Sequence, residues 1–362
     1  MKIRKAILTG GGRATRLRPI TSTTNKHLLP LANKPMIFHA IEKVVEAGIT
    51  EIFINVNPGD TELPQFVGDG GHWGVSIKFF EQTGGPQGIA HVVNEAKHFI
   101  GDDPFIFYLS DNIFLGSLAD MVEEFHAREY DCMLALAEVP DPERFGVPIF
   151  NAAGELIDTV EKPSQPPNKF AIIGTYIYGP RLFFEAFSNI QKSARGEYEI
   201  PSIHSHLLKQ GKRVGFTHVT GWWKDTGKPD DLLAANQLLL DHMNTEQFPN
   251  HGNVEPGTAI TGNVHIGHGT RVGHGVTLTG PVMIAENCVL EDCQIGPHVT
   301  VGPGTEICGA HIKNSIILGG CTIRGKRILV DSLIGRGVQL LEISETPGEH
   351  RMIVGDQTVL HW

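Results

Sequence analysis

The sequence predicts an α/β domain built on a mostly parallel sheet, followed by a parallel β-helix of six-residue repeats. Two observations carry that expectation. In residues 1 to about 245, short apolar strand-like runs alternate with helix-like segments, and such alternation implies a parallel sheet covered on both faces. From Ile260 the period changes to six. Ile260, Ile266, Val272, Leu278, Ile284 and Leu290 are evenly spaced, and after a one-residue slip Ile295, Val301 and Ile307 resume the series. At 362 residues, 41% hydrophobic and 19% charged, the chain is long enough for two domains with cores of their own.

Taken in order, Ala6–Leu8, Glu51–Asn55, Val75–Phe80 and Phe105–Leu109 read as short buried strands. Between them, Ile37, Ile41 and Val44 form a helical stripe closing at Gly48, and Ile89, Val92, Val93 and Ala96 form another. Phe145–Phe150 and Leu156–Val160, joined by Asn151-Ala152-Ala153-Gly154, predict a hairpin. Residues 196–210 and 229–242 predict later helices. Ligands of open α/β sheets sit beyond the carboxyl ends of the strands. The glycines after Leu8 and the turn Ser110-Asp111-Asn112 both lie at such ends.

In the repeat, Gly follows the aliphatic residue at Ile266, Val272, Ile295 and Val301. One inward aliphatic per hexad, with small or turn residues elsewhere, gives coils of about three hexads. The pattern fades through Leu318 and Ile334. These features divide the chain into a domain over 1–245, a linker over 246–253, a β-helix over 254–345 and a tail over 346–362. The five cysteines (Cys132, Cys288, Cys293, Cys308, Cys321) include no CxxC pair. Four fall where the repeat points small side chains inward, so buried free thiols are expected.

Charge is distributed unevenly. The chain carries a net −10, yet residues 1–50 hold nine basic and two acidic residues, leaving −17 for the rest. An acidic chain has no general attraction to nucleic acid or anionic membrane, and no apolar run approaches the roughly 20 residues of a membrane span. A cytoplasmic setting is expected. The basic excess concentrates in LTGGGRATRLRPITSTTNKHLLP, residues 8–30, which has no acidic member. A glycine turn at a strand end exposes backbone N–H groups. With Arg13, Arg16, Arg18 and Lys26 added, it makes a cradle for several phosphates. A solvated basic loop is the plainer alternative. Neither GxxxxGK[ST] nor GxGxxG is present, which excludes P-loop and dinucleotide-binding designs.

The pattern GGxGTRLxP followed by KxLLP resembles the signature of the sugar-1-phosphate nucleotidyltransferases. The chain is most similar to the long form of the glucose-1-phosphate thymidylyltransferases, which carries a left-handed β-helix after a Rossmann-like domain. The resemblance covers residues 11–19 and 26–30, Lys34-Pro35-Met36, Leu109-Ser110-Asp111-Asn112, Phe145-Gly146-Val147 and Glu161-Lys162-Pro163. It continues through Gly196-Glu197-Tyr198-Glu199-Ile200, Trp223-Lys224-Asp225-Thr226-Gly227, residues 332–338 and Val354-Gly355-Asp356. Two departures stand out. Ala14 occupies a position where the family has Gly, and Ser110 replaces another. The segment from Gln82 to Gly88 is one residue longer than in the short form.

The resemblance implies a reaction in which a sugar 1-phosphate attacks the α-phosphorus of an NTP, dTTP before UTP, and pyrophosphate leaves. Arg16 and Lys26 would hold the triphosphate, with Gly11, Gly12 and Arg13 in the same turn. Asp111 and Asp225 would hold Mg²⁺, a hard cation that prefers carboxylate and phosphate oxygen. Lys162 would meet the sugar phosphate and Glu161 a sugar hydroxyl. Asn112, Gly146 and Gly174 would line the hexose, glucose being expected, and Gln82 and Gly88 the base. No general base is needed, because the attacking phosphate oxygen is already ionised. A homo-oligomer is expected.

Other uses of these residues stay open. Asp111 could cap a helix, Asp225 could answer Lys224, and Glu161-Lys162 could be a surface pair. Trp222 and Trp223 read as packing residues. A silent nucleotide-sugar-binding subunit is one alternative function. A second makes the β-helix an acyltransferase, since His268 and His274, six apart, would stack on one corner.

Overall fold

The computed structural model describes residues 2–219, 223–341 and 348–361; Trp222 lies outside the described residues. The chain forms two compact units. One comprises Met1–Gly12 with Ile37–Trp223, the other Arg13–Met36 with Lys224–Trp362. The basic loop after the glycines therefore groups with the C-terminal unit, a partition that no local feature of the sequence announces.

The first unit is built on a nine-stranded sheet. Its strands are β1 (Lys5–Thr9), β2 (Glu51–Val56), β3 (Ser76–Glu81), β4 (Phe105–Tyr108), β5 (Cys132–Glu138), β6 (Gly146–Phe150), β7 (Leu156–Glu161), β8 (Phe170–Tyr178) and β9 (Val214–His218). The first four are parallel in the order β3-β2-β1-β4, with Leu8 opposite both Ile54 and Tyr108. β1, β2 and β4 are apolar and buried over nearly their whole length, as a covered parallel sheet requires, whereas the edge strand β3 alternates exposed and buried residues. Beyond β4 the sheet is mixed. β8 runs antiparallel to β4, β5 and β6, with a register shift between Ile172 and Tyr176. β7 pairs antiparallel with β6, and β9 pairs parallel with β5. The sequence reading left β5, β8 and β9 unassigned. β5 and β8 are buried runs and β9 a short, partly exposed one, all with partners far away in the chain, so no local period marks them.

The expected helices form as Met36–Glu46, Ile89–Glu95, Ile200–Lys209 and Pro229–His242. The third begins four residues later than predicted, because residues 196–199 form an extended acidic segment leading into it. Helix Leu118–Ala127 starts at Ser117, whose hydroxyl accepts from Asp120 N. Asp111, followed directly by strand Asn112–Phe114, caps no helix. Buried aromatics fill the core between sheet and helices, including Phe105, Phe107, Tyr176, Tyr178 and Phe183. Each contributes roughly 1.5–3 kcal/mol by leaving water.

In the second unit, three parallel sheets of seven, six and six strands stack coil upon coil as a parallel β-helix. Every aliphatic residue of the sixfold series from Ile266 to Ile307 is buried; Ile260, in the first coil, is 39% exposed. The series does not fade after Ile307. Ile312, Ile317, Ile323, Leu329, Ile334 and Leu340 continue the buried row, with steps of five and six that hide the period. Several corners are left-handed residues that tolerate this conformation, among them Asn287, Asp292, Asn314 and Asp331. Strands Glu349–His350, Ile353–Val354 and Val359–His361 carry the sheets past residue 345. Strand Asn253–Val254 opens them, and the stretch before it holds a short helical turn, Thr245–Gln247, with buried Phe248. Cys132, Cys288, Cys293 and Cys321 are buried free thiols, but Cys308 is exposed because its strand alternates out, in, out around Ile307. Among the described residues, no helix is long and apolar enough to cross a membrane.

Candidate active site

In the first unit the carboxyl edge of the parallel strands gathers the expected residues. β1 runs into Gly10-Gly11-Gly12 and β4 into Leu109-Ser110-Asp111, on either side of the point where the strand order turns back, the usual ligand position in such sheets. Ser110 N donates to Thr9 Oγ1 at 2.9 Å, tying the two turns together. Gly12 has φ of 117° and open space where a side chain would stand. Two residues absent from the sequence reading hold this turn. Asn55 Oδ1 accepts from Gly10 N at 3.2 Å, and Asn57 exchanges bonds with Gly12 N and O at 2.8 and 3.2 Å. Their signal was a pair of amides at the end of an otherwise apolar strand. Gln82, just beyond β3, donates its backbone N–H to Val56 O at 3.4 Å.

Asp111 Oδ1 accepts from Asn112 Nδ2 at 2.9 Å. Burial, reinforced by the Asp111 charge, pushes the Tyr108 phenol above its ordinary value, and its hydroxyl donates to Asn112 O at 2.5 Å. Asn112 Oδ1 accepts from Trp223 Nε1 at 2.7 Å and from Gly174 N at 3.4 Å. Trp223, which also packs edge-on to Phe145, is thus more than a packing residue. At Gly174 a Cβ would collide with Leu109 at 2.5 Å, so its close approach is to that strand end.

Gly146 stands opposite Glu161 on the hairpin β6–β7, and a Cβ there would lie 3.5 Å from Glu161 Oε2. Lys162 has φ of 45°, donates its N–H to Phe145 O at 2.9 Å and places Nζ 3.0 Å from Glu161 Oε1. The surface pair envisaged in the sequence does form. Arg195, also missed, reaches Glu161, Glu197 and Glu199 at 3.4, 3.0 and 2.9 Å. It holds three carboxylates at one end of the hairpin. Gly88 has φ of 95° and abuts the backbone of Tyr198, whose N–H donates to Gln87 O at 2.8 Å. The segment Gln87-Gly88 is therefore anchored on the same acidic stretch.

The second unit carries Arg13, Arg16, Lys26 and Asp225. Arg13, Arg16 and Arg18 are exposed and form no ion pair among the described residues. Arg16 sits in the turn Thr15–Leu17, anchored by buried Leu17. Lys26 opens the turn Lys26–Leu28, capped by the Asn25 side chain. Lys224 Nζ lies 3.1 Å from Asp231 Oδ1, so its charge is answered there.

Ala14 takes φ 43° and ψ 40°, the left-handed region where the family has Gly. A side chain there costs about 1–2 kcal/mol, against roughly 0.5–1 kcal/mol of extra chain entropy for Gly. Ala14→Gly should therefore leave stability equal or raise it by up to about 1.5 kcal/mol. Urea denaturation of the two proteins checks this; a destabilised variant would show that Ala14 is not strained.

His268 and His274 do not share a corner. Coils repeat every 16–21 residues, so residues six apart occupy successive corners. His268 stacks on His251 at 4.3 Å, and His274 faces Asp292 at 3.5 Å.

Comparison with known proteins fits this arrangement. The model of the nucleotidyl transferase family matches residues 5–242, and that of the GMPPB C-terminal domain matches residues 278–360. The chain belongs to the nucleotidyl transferase family. It is 38% identical to the low-salt glycan biosynthesis nucleotidyltransferase Agl11 of Haloferax volcanii, over 98% of this chain and 99% of that one. It is 37% identical to a glucose-1-phosphate thymidylyltransferase of Streptomyces antibioticus, over 98% of both. A Bacillus anthracis structure assigned as a glucose-1-phosphate thymidylyltransferase, crystallised with sucrose, superposes with a TM-score of 0.61 at 36% identity, covering 67% of this chain and 96% of that one. The chain is a nucleotidyltransferase, and Arg16, Lys26, Asp111, Lys162 and Asp225 are all present. A catalytically silent subunit is therefore set aside.

Proposed function

We propose that this nucleotidyltransferase joins a sugar 1-phosphate to an NTP, with glucose 1-phosphate and dTTP as the preferred pair and UTP next. The observation that carries this reading is the run of contacts in the first unit. It leads from the glycine turn through Ser110–Asn112 and Gly174 to the end of the hairpin, where Glu161, Lys162 and Arg195 meet. One end suits phosphates, and the other offers a cation beside a carboxylate, as a phosphorylated polyol needs. The name of the Streptomyces antibioticus relative favours glucose and thymidine.

In the reaction an oxygen of the sugar phosphate bonds to the α-phosphorus, the bond to the β-phosphate oxygen breaks, and pyrophosphate departs. The residues position two anions and neutralise the charge that grows on the leaving group. The turn Gly11-Gly12, with Arg13, cradles the triphosphate, its Gly12 N–H being held by Asn57. Arg16 and Lys26 hold it and stabilise pyrophosphate. Lys162 draws in the sugar phosphate, and Glu161, oriented by Arg195, accepts from a sugar hydroxyl. Asn112 and Gly146 border the hexose, and Gln82 and Gly88 the base.

Mg²⁺ fits the donor set. Among the described residues no cluster of three His, Cys, Asp or Glu could enclose a metal, whereas Mg²⁺ keeps several waters and takes one or two carboxylates plus phosphate oxygens. Asp111 and Asp225 are the carboxylates assigned to it. When bound, the ion would supply charge neutralisation on the phosphate oxygens.

Pyrophosphate release across a panel of NTPs and sugar 1-phosphates with Mg²⁺ tests the reading. We expect dTTP with glucose 1-phosphate to turn over fastest, and dTTP to exceed UTP by no more than about 10–200-fold, because one methyl group separates them. A faster pair would replace the assignment. Silence with every pair would sink it.

A further inference from the structure

The loop that carries Arg16 and Lys26 is mounted on the β-helix. Thr23 Oγ1 and Thr24 Oγ1 donate to Asp356 Oδ2 at 2.7 and 3.3 Å. The other oxygen, Asp356 Oδ1, accepts from Arg336 N at 2.7 Å, one coil earlier. One carboxylate thus joins the closing coil to a loop more than 300 residues before it. Thr24 is buried and lies two residues from Lys26. Gly355 presses on the same loop: a Cβ there would stand 3.1 Å from Pro19 Cβ and 3.2 Å from Pro19 O.

A second mounting point lies at the loop's far end. Ala32 and Asn33, both with positive φ, form the tip of a short hairpin. Asn33 Nδ2 donates to Met283 O and Val301 O at 3.2 and 3.1 Å, and Ala32 N donates to Asn236 Oδ1 at 2.8 Å. Ala32 packs with Leu240 and Phe248. Between these mounts, Thr21 Oγ1 closes the Arg16 turn onto Ala14 O at 2.8 Å. The guanidinium and ammonium groups are exposed or half-buried, while the backbone that aims them is fixed by the β-helix.

We propose that Asp356 is a positioning residue for the triphosphate cations, so that the last coil of the β-helix sets the affinity for the NTP. This rests on the assignment of Arg16 and Lys26 to the triphosphate. A carboxylate accepting two hydroxyls holds the loop in one conformation; without it, the loop must be ordered by the ligand itself, and affinity falls accordingly.

Full-length Asp356→Ala should raise the KM for the NTP about tenfold, equivalent to one charge-assisted contact, and leave the KM for the sugar 1-phosphate within about twofold. Thr23→Val with Thr24→Val removes the partners without touching the β-helix and should do the same. Gly355→Val, which crowds Pro19, should follow. Combining Asp356→Ala with the two threonine changes should be no worse than either alone. Calorimetric titration with the same NTP, without sugar phosphate, should show the same weakening. An unchanged KM for the NTP beside a lowered melting temperature would make Asp356 merely structural and overturn the proposal. Additive losses would overturn it too. The titration also separates this idea from the substrate assignment. NTP binding weakened by Asp356→Ala in a chain that turns over no pair would sink the reaction and keep the coupling; binding that is absent in the wild type would sink both.

Discussion

Asp111→Asn should lower kcat at least about a thousandfold while leaving the fold intact. The substitution preserves shape, and its amide oxygen still accepts from Asn112 Nδ2, the bond Asp111 makes at 2.9 Å. What disappears is a negative charge at the end of β4, beside the glycine turn. Removing a single neutral donor from a preorganised site already costs about 10²–10³ in rate, and a full charge assigned to a hard cation should exceed that. Stability should change little, because the shape and the bond from Asn112 Nδ2 are both kept. The measurement is pyrophosphate release with both substrates saturating, beside a thermal melt. Near-normal turnover would remove Asp111 from the site. Loss of turnover together with a collapsed melt would make it a structural residue.

How much of this was legible in the sequence depends on what kind of order is involved. Local order was. The glycine turn, the Asp111 turn and helix Pro229–His242 lie where adjacent residues predict them. The β-helix was legible while its steps stayed at six, and lost its period where corners shortened to five after Ile307. Order that depends on distant partners was not. Asn55 and Asn57 act on Gly10 and Gly12 across 45 positions, and two amides at a strand end do not say what they clamp. Arg195 reads as one charge in a mixed stretch until three glutamates are seen to converge on it. Trp223 reads as packing until its indole finds Asn112. The largest gap concerned Arg13–Met36, whose basic residues announced phosphates but whose mounting on the β-helix depends on Asp356 and Asn33. Ala14 is, with Ser110, a departure from Gly, and its left-handed backbone is the conformation in which Gly carries no steric cost.

Acidification should destabilise the first unit by about 1.4 kcal/mol per pH unit below 6.5 through one residue, His204. It is fully buried on helix Ile200–Lys209, with Nε2 2.9 Å from the Tyr178 hydroxyl. Burial pulls its pKa from 6.5 down to about 3, because the imidazolium would lose its hydration there. The unfolded chain takes up a proton below pH 6.5 and the folded chain does not. The stability is therefore fully present above pH 6.5 and is lost as pH falls towards 3, a total of about 4–5 kcal/mol. His204→Gln keeps a hydrogen-bonding partner for Tyr178 and removes the titration. Urea denaturation at pH 7.5, 6 and 5 should show wild type losing about 2 kcal/mol relative to the variant across that range. Parallel curves would show that His204 is protonated in the folded state. The helix that bears His204 is also fastened to the hairpin. Thr159 Oγ1 donates to Pro201 O at 2.8 Å, and Ser205 Oγ donates to Thr159 O at 2.9 Å and to Asp158. These bonds fasten the helix to β7, whose end presents Glu161 and Lys162.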